Sequence, residues 1–446
     1  MKKIYLVLLL VLILHLFFLI NIKFTAWPEM ISFPYLINHG FVLYKDTIHA
    51  YPPLLVSTLA VLFNIFGYKL IVLKIFAWVS ILVSDILVFL IVKRVTTNDK
   101  KALLGLLFFV FLQPFLEGNM VWPDLAIVPF LLLSVLSLFK KKYFLVGMSL
   151  ALAFLIKQTG IFYFIFIFLY IILSTRNLKK TLIFLTPITL TLIFLVIVLI
   201  SQNSFNAFLN WVIIYPSVYW TKFPGYVQMV PSQKEVFTLF LLFLPIIFFL
   251  RKRKLFKDKN LIILVGFLFC SVLSVYPRFS FFHFQSALAF LVIIYFYFSN
   301  KIKKQILLFT IPIVILSLNF KNFNKGNRFW GSSDIKLANT IKAKTMDSSE
   351  VYLLGLQSGL YTFADKLPPK PWLDNFGWYF EIPNVQENTI LKWSKNPPKY
   401  IVWQVPLSGN LYDLGVYQPQ KITNWIKTNY NNKGEIAPAI NLWQKK

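Results

Sequence analysis

Apolar runs long enough to cross, or nearly cross, a bilayer repeat along the chain as far as Phe320, separated by short polar breaks. The first follows Met1-Lys2-Lys3 and reaches about Ile22 with no small-x-small cleavage site behind it, so it reads as an uncleaved helix with a cytoplasmic N-terminus. Leu54–Phe66 predicts a short helix ending at Gly67, followed by spans at about Lys69–Val92, Ala102–Leu116 and Trp122–Phe139. Two short helices come next, Tyr143–Ile156 and Gly160–Leu173, with Lys157-Gln158-Thr159 between them. Further spans are expected at Thr181–Ile200, Glu235–Leu250, Leu261–Val275, Phe284–Phe298 and Gln305–Phe320. The pattern predicts an all-α polytopic membrane protein with about eleven spans.

Basic residues set the orientation. Dense clusters fall at every second turn: Lys93, Arg94, Lys100 and Lys101; Lys140–Lys142; Arg176, Lys179 and Lys180; Arg251–Lys254; Lys301, Lys303 and Lys304. The other turns carry isolated cations such as Lys23, Lys45, Lys157, Lys222 and Arg278. By the positive-inside rule the clusters are cytoplasmic, the N-terminus is inside and the C-terminal region is outside, in a multi-pass protein of the cytoplasmic membrane. Glu29, Asp46, Asp124, Lys157, Arg278 and His283 are then all expected on the outer side.

After about Phe320 the hydropathy drops. Residues 328–446 read as a small extracytoplasmic α/β domain appended to a transmembrane domain of residues 1–327. Within it Ser333–Lys344 and Gln420–Tyr430 look helical, Glu350–Gly355 and Lys399–Gln404 strand-like, and Leu367–Phe380 a Pro- and Trp-rich loop. Trp211, Tyr215 and Tyr219 recur at i, i+4 and i+8, as an interfacial helix with an aromatic belt would. The composition is 58% hydrophobic, which a soluble core does not require. The net charge of +28 is spread through the connecting turns, so nucleic acid is excluded as a partner while membrane lipids are expected. The single cysteine, Cys270, lies in an apolar run and rules out a disulfide framework.

Chemistry is sought first in residues 23–53, the first outer loop, and above all in Trp27–Pro53, an aromatic and acidic stretch in a basic protein. It carries Glu29, Asp46, His39 and His49, either as solvated and structural groups or as catalytic ones. Asp124 in Trp122-Pro123-Asp124 reads as a helix cap or as a functional group that could serve a metal. Lys157 reads as a snorkelling lysine or a functional cation, and His283 as a packed interfacial histidine or a ligand. Asp85, deep in a span, calls for a buried partner. Glu29, Asp46, Asp124 and a histidine could hold a divalent metal, although no short-range ligand spacing requires one, and no other cofactor is indicated.

Gly40-Phe-Val-Leu-Tyr44-Lys-Asp46, Tyr51-Pro52-Pro53-Leu54 and Phe66-Gly67 resemble the G-x-x-Y-x-D, P-P-L and F-G pattern of polytopic GT-C glycosyltransferases. That group comprises family 39, the protein O-mannosyltransferase-like enzymes and their bacterial relatives resembling lipopolysaccharide core transferases. Lys157-Gln158-Thr159 resembles the family's K-Q-T/S turn, and Pro277-Arg278-Phe279 with His283 its Arg-bearing loop. Where the family often has an Asp-Glu pair this chain has Pro28-Glu29, leaving the base as Asp46 with Glu29 in support, or the reverse. The resemblance implies an inverting glycosyltransferase that takes a sugar from a polyprenyl phosphate to a glycan, lipid or protein acceptor. Arg278 and Lys157 would meet the donor phosphate, with Tyr44, Gln158, Asp124 and His283 as further candidates. A multi-pass transporter or lipid-linked saccharide flippase is the alternative, with a polysaccharide polymerase or ligase of another fold behind it. The absence of an internal repeat and the gathering of ionisable residues at the outer rim favour the enzyme.

Overall fold

The computed structural model describes residues 2–250, 258–298, 308–320, 323–404 and 418–446. The basic cluster Arg251–Lys254, the cations Lys301, Lys303 and Lys304, and the start of the last expected span lie outside the described residues. The fold is largely helical with a small strand-bearing C-terminal region, as the hydrophobic pattern predicts. Three described helices, Lys3–Asn21, Leu70–Thr96 and Leu178–Ser201, are long and apolar enough to cross a membrane. Shorter apolar helices accompany them, including Leu54–Phe66, Tyr143–Ile156, Gly160–Thr175 and Gln285–Phe298. On the first helix Leu6, Leu9, Leu10, Ile13 and Phe17 stand exposed, a face that only lipid can cover without cost. The protein is membrane-embedded.

The chain divides into two compact units, each discontinuous in sequence. The first comprises Met1–Thr25, Leu73–Leu195 and Gln228–Gly326. Its central helix, Gln285–Phe298, is buried along nearly its whole length, which explains a sequence that is apolar on every face. Small residues let helices close up. A Cβ on Gly147 of Tyr143–Ile156 would overlap the carbonyl oxygen of Phe184 on Leu178–Ser201. Buried polar groups find partners across helices. His15 Nδ1 meets Asp85 Oδ2 at 2.7 Å, His15 Nε2 meets Gln113 Oε1 at 3.1 Å, and Gln113 Nε2 donates to the Gly118 carbonyl at 2.9 Å. Asp85 thus has the buried partner its position called for. Asn119 Nδ2 donates to the Leu19 and Ile22 carbonyls (2.9 and 2.8 Å), satisfying acceptors that the end of the first helix leaves open.

The second unit comprises Ala26–Val72, Val196–Val227 and Asn327–Lys446. The stretch expected as a loop from Trp27 contains a helix, Glu29–Asn38, which carries Pro34 inside it. Met30, Ile31, Phe33, Tyr35 and Leu36 are buried along it, so tertiary packing overrides the proline and the mixed aromatic composition. The C-terminal sheet is mixed. Val351–Leu354 runs parallel to Tyr400–Gln404, which pairs antiparallel with Ile440–Lys445, and the latter forms a hairpin with Tyr430–Ala437. The helices Ser332–Lys344 and Gln420–Asn429 and the first two strands sit where expected. The hairpin was not anticipated, because Asn431–Glu435 is polar and exposed and shows no alternation.

The aromatic belt is a correction. Trp211–Tyr219 does not form one regular interfacial helix: the helical stretch from Phe205 to Val218 widens to a π turn at Asn210–Ile214. Trp211 and Trp220 are buried against Tyr379 of the C-terminal region, with ring centroids at 5.9 and 5.1 Å. Leu367–Phe380 is equally well packed, with Trp372 fully buried and Gly377–Phe380 helical.

Gly147→Ala is expected to cost about 1–3 kcal/mol, because the obstructing atom is backbone and cannot rotate away. Thermal unfolding in detergent reads it; an unchanged midpoint would show that the two helices separate freely.

Candidate active site

In the first unit three helix boundaries bring their polar residues together. Asp124 sits in the short Pro123–Ala126 helix, Lys157 caps the end of Tyr143–Ile156 in extended backbone, and His283 lies in the turn before Gln285. Lys157 Nζ is 2.5 Å from Asp124 Oδ1, and His283 Nδ1 is 2.9 Å from Asp124 Oδ2. The lysine also donates to the Ser274 carbonyl at 3.3 Å. The Lys157 and Asp124 side chains are only 7% and 3% exposed, so this is a buried ion pair.

Two expectations fall here. Asp124 makes no capping bond at its helix N-terminus, and Lys157 does not snorkel out to the interface. A carboxylate only accepts, so His283 Nδ1 carries the proton in this contact. Burial holds the His283 imidazole below its usual range, with Lys157 and Arg278 acting the same way and Asp124 opposing them.

Arg278 is half-buried, and its Nη2 donates to Gln228 Oε1 at 3.3 Å. The Gln228 backbone is strapped to the same turn, accepting from Phe279 N (2.7 Å) and donating to the Pro277 carbonyl (2.9 Å). Glu117 stands at positive φ in the break between helices and accepts from the Phe282 amide at 3.3 Å, bracing the residue beside His283. Gln158 follows Lys157 in the turn and offers its carbonyl to the Ile161 amide at 3.1 Å.

The second unit holds the acids of the first outer loop. Asp46 closes its own turn, accepting from Val42 N at 3.0 Å, and pairs with Lys370 Nζ at 3.1 Å. Its carbonyl accepts from Trp372 N at 2.8 Å. Tyr44 is buried at positive φ with its hydroxyl donating to the Tyr51 carbonyl at 2.9 Å. His39 Nδ1 reaches the Tyr35 carbonyl at 2.8 Å, and His49 packs on Phe33 at 4.7 Å, so both have structural contacts.

Glu29 differs from all of these. Its Oε2 is buried with no hydrogen-bond partner. Burial, and then the neighbouring Asp374 carboxylate, push Glu29 above the usual carboxylate range. Asp374 was not singled out in the sequence, where it is one acid in Trp372-Leu-Asp374-Asn375 with no motif around it. Gln228, Gln285 and Lys370 were missed for the same reason, since each acts through a residue remote in sequence. Among the described residues no three His, Cys, Asp or Glu side chains assemble to hold a metal ion.

The crystal structure of ArnT from Cupriavidus metallidurans in the apo state matches this chain with a TM-score of 0.60 at 11% identity, covering 99% of this chain and 97% of that one. The fold is polytopic and GT-C-like. A family model described as dolichyl-phosphate-mannose-protein mannosyltransferase matches residues 50–201. ArnT from the same organism bound to undecaprenyl phosphate aligns with a TM-score of 0.48 at 10% identity, covering 99% and 98% of the two chains. No curated protein sequence matches the chain. Within the GT-C-like fold, the family match spans Pro52, Pro53, Asp124, Lys157 and Gln158; Glu29, Asp46, Arg278, His283 and Asp374 lie outside it.

Asp124→Asn leaves Lys157 buried without a counter-charge and is expected to cost about 3 kcal/mol in thermal unfolding, most of it recovered in the double variant Asp124→Asn/Lys157→Met. A single-variant loss below about 0.5 kcal/mol would mean that the lysine is already served by solvent.

Proposed function

We propose that this protein is an integral-membrane inverting glycosyltransferase moving a sugar from a polyprenyl-phosphate donor to an acceptor hydroxyl at the outer face of the cytoplasmic membrane. The GT-C-like fold and the partial match to a family named for dolichyl-phosphate-mannose support the reaction class. The observation that carries the assignment of the base is the Glu29 carboxyl, buried, unbonded at Oε2 and raised in proton affinity. A base of that kind is better matched to neutral pH than an ordinary carboxylate. Asp46, engaged by Val42 and Lys370, serves in this reading to hold the loop.

In the reaction the acceptor O–H proton passes to Glu29 as its oxygen bonds to the anomeric carbon. The bond from that carbon to the phosphate oxygen breaks on the opposite face, inverting the centre. Polyprenyl phosphate departs as an anion and needs no acid, only a cation to receive its charge. Arg278 suits that part, since a guanidinium presents two parallel N–H groups to a phosphate. Lys157 is already neutralised by Asp124, so its contribution is to fix that acid and, through it, His283.

Glu29→Gln should lower transfer from a panel of polyprenyl-phosphate sugars by about 100-fold or more while the protein still inserts and melts as before. Asp46→Asn should have a much smaller effect; the opposite order would make Asp46 the base. Because Glu29 must be ionised to act and its proton affinity is raised, kcat/KM should climb with pH above the ordinary carboxylate range. Arg278→Ala should raise KM for the donor more than for the acceptor, and an equal rise in both would remove it from the phosphate.

A further inference from the structure

We infer that Asp374, carried by the C-terminal domain, is the partner carboxylate of Glu29, and that the two share one proton and so set the pH at which the base works. The inference rests on the reading of Glu29 as the base but concerns a residue that this reading does not use. Glu29 opens the Glu29–Asn38 helix, and Ser32, one turn further, lies on the same face. Ser32 Oγ donates to Ser358 Oγ at 3.1 Å, and Ser358 Oγ donates to Asp374 Oδ2 at 3.0 Å. The other oxygen, Asp374 Oδ1, accepts from the Asn375 amide at 2.8 Å. Asn375 Nδ2 in turn donates to the Leu353 and Leu356 carbonyls (3.2 and 2.7 Å), fixing the acid to the end of the Val351–Leu354 strand. Asp374 is therefore a placed residue, 2% exposed, presented to the helix that begins with Glu29.

Nothing opposite in sign meets the pair. The titratable groups facing it are Tyr379 on Gly377–Phe380, with Tyr352 and Tyr361 behind Asp374. Among the described residues no lysine or arginine acts on either carboxyl. Two buried carboxylates without a counter-charge cannot both ionise cheaply, so one keeps a proton. Asp374 has two donors, whereas Glu29 has only its own backbone amide and none at Oε2, so the negative charge settles on Asp374 and the proton on Glu29. The raised proton affinity of both groups agrees with this. Titration of such a pair belongs to the two groups jointly.

Infrared difference spectroscopy of the full chain in lipid nanodiscs, titrated through neutral pH without any ligand, tests the pair. The wild type should show a protonated carboxyl band titrating near neutral, and Glu29→Gln should lack it. Asp374→Asn should move that titration to lower pH by about 1 unit, and Asp374→Glu, which keeps the charge, should return it. Asp374→Ser gives a second neutral variant should the amide fail to fold. No such band in the wild type, or one that stays put in the neutral variants, overturns the inference. Transfer assays separate the two readings: if Glu29→Gln still transfers sugar while the band behaves as expected, the base assignment fails and the pair stands. If Glu29→Gln is inactive but the titration ignores Asp374, the pair fails and the base stands.

Discussion

A charge removed from water must meet an opposite charge or give up its ionisation, and this requirement orders the polar interior of the chain. In the first unit the Lys157 ammonium meets Asp124, which also hydrogen-bonds His283, and Asp85 is hydrogen-bonded to His15. In the second unit Asp46 has Lys370, but among the described residues no cation meets Glu29 or Asp374. In the proposed function those two acids are the exception, and buried acids without a counter-charge suit a proton-accepting site.

The polar residues occupy places where the helices stop. Lys157 stands at the end of one helix, His283 in the turn before another, Asp124 in a short helix behind Trp122-Pro123, and Glu117 at positive φ in a helix break. Apolar helices leave no room for such groups on lipid-facing surface, so interruptions in the helices are where chemistry can be placed. The same interruptions expose backbone groups that side chains then satisfy. Asn119 does this for the first helix, and Gln285 Nε2 does it for the Leu116 carbonyl at 2.5 Å.

The C-terminal region does more than follow the last apolar helix. Its Trp372 exchanges backbone hydrogen bonds with the Asp46–Ile48 turn, Lys370 neutralises Asp46, and Tyr379 receives both Trp211 and Trp220. In the proposed function this region therefore sets the local chemistry of the first outer loop, through the charges it brings to Asp46 and Glu29.

The primary structure was enough to establish membrane embedding, the helical architecture, the C-terminal α/β region and the GT-C likeness. These rest on local features: apolar runs, clustered cations, and short motifs such as Tyr51-Pro52-Pro53 and Lys157-Gln158-Thr159. It also marked Glu29, Asp124, Lys157 and His283 as worth attention, because acids are few and each stands beside a break. It could not say which side chains meet. Lys157 and Asp124 are 33 residues apart, His283 and Asp124 159, and Lys370 and Asp46 324. Such encounters depend on how helices and strands pack, and no periodicity or motif records them. Folding is what committed Asp46 to a turn, turned Trp211 and Trp220 inward while Tyr219 stays exposed, and brought the charge of the unremarked Asp374 to bear on Glu29.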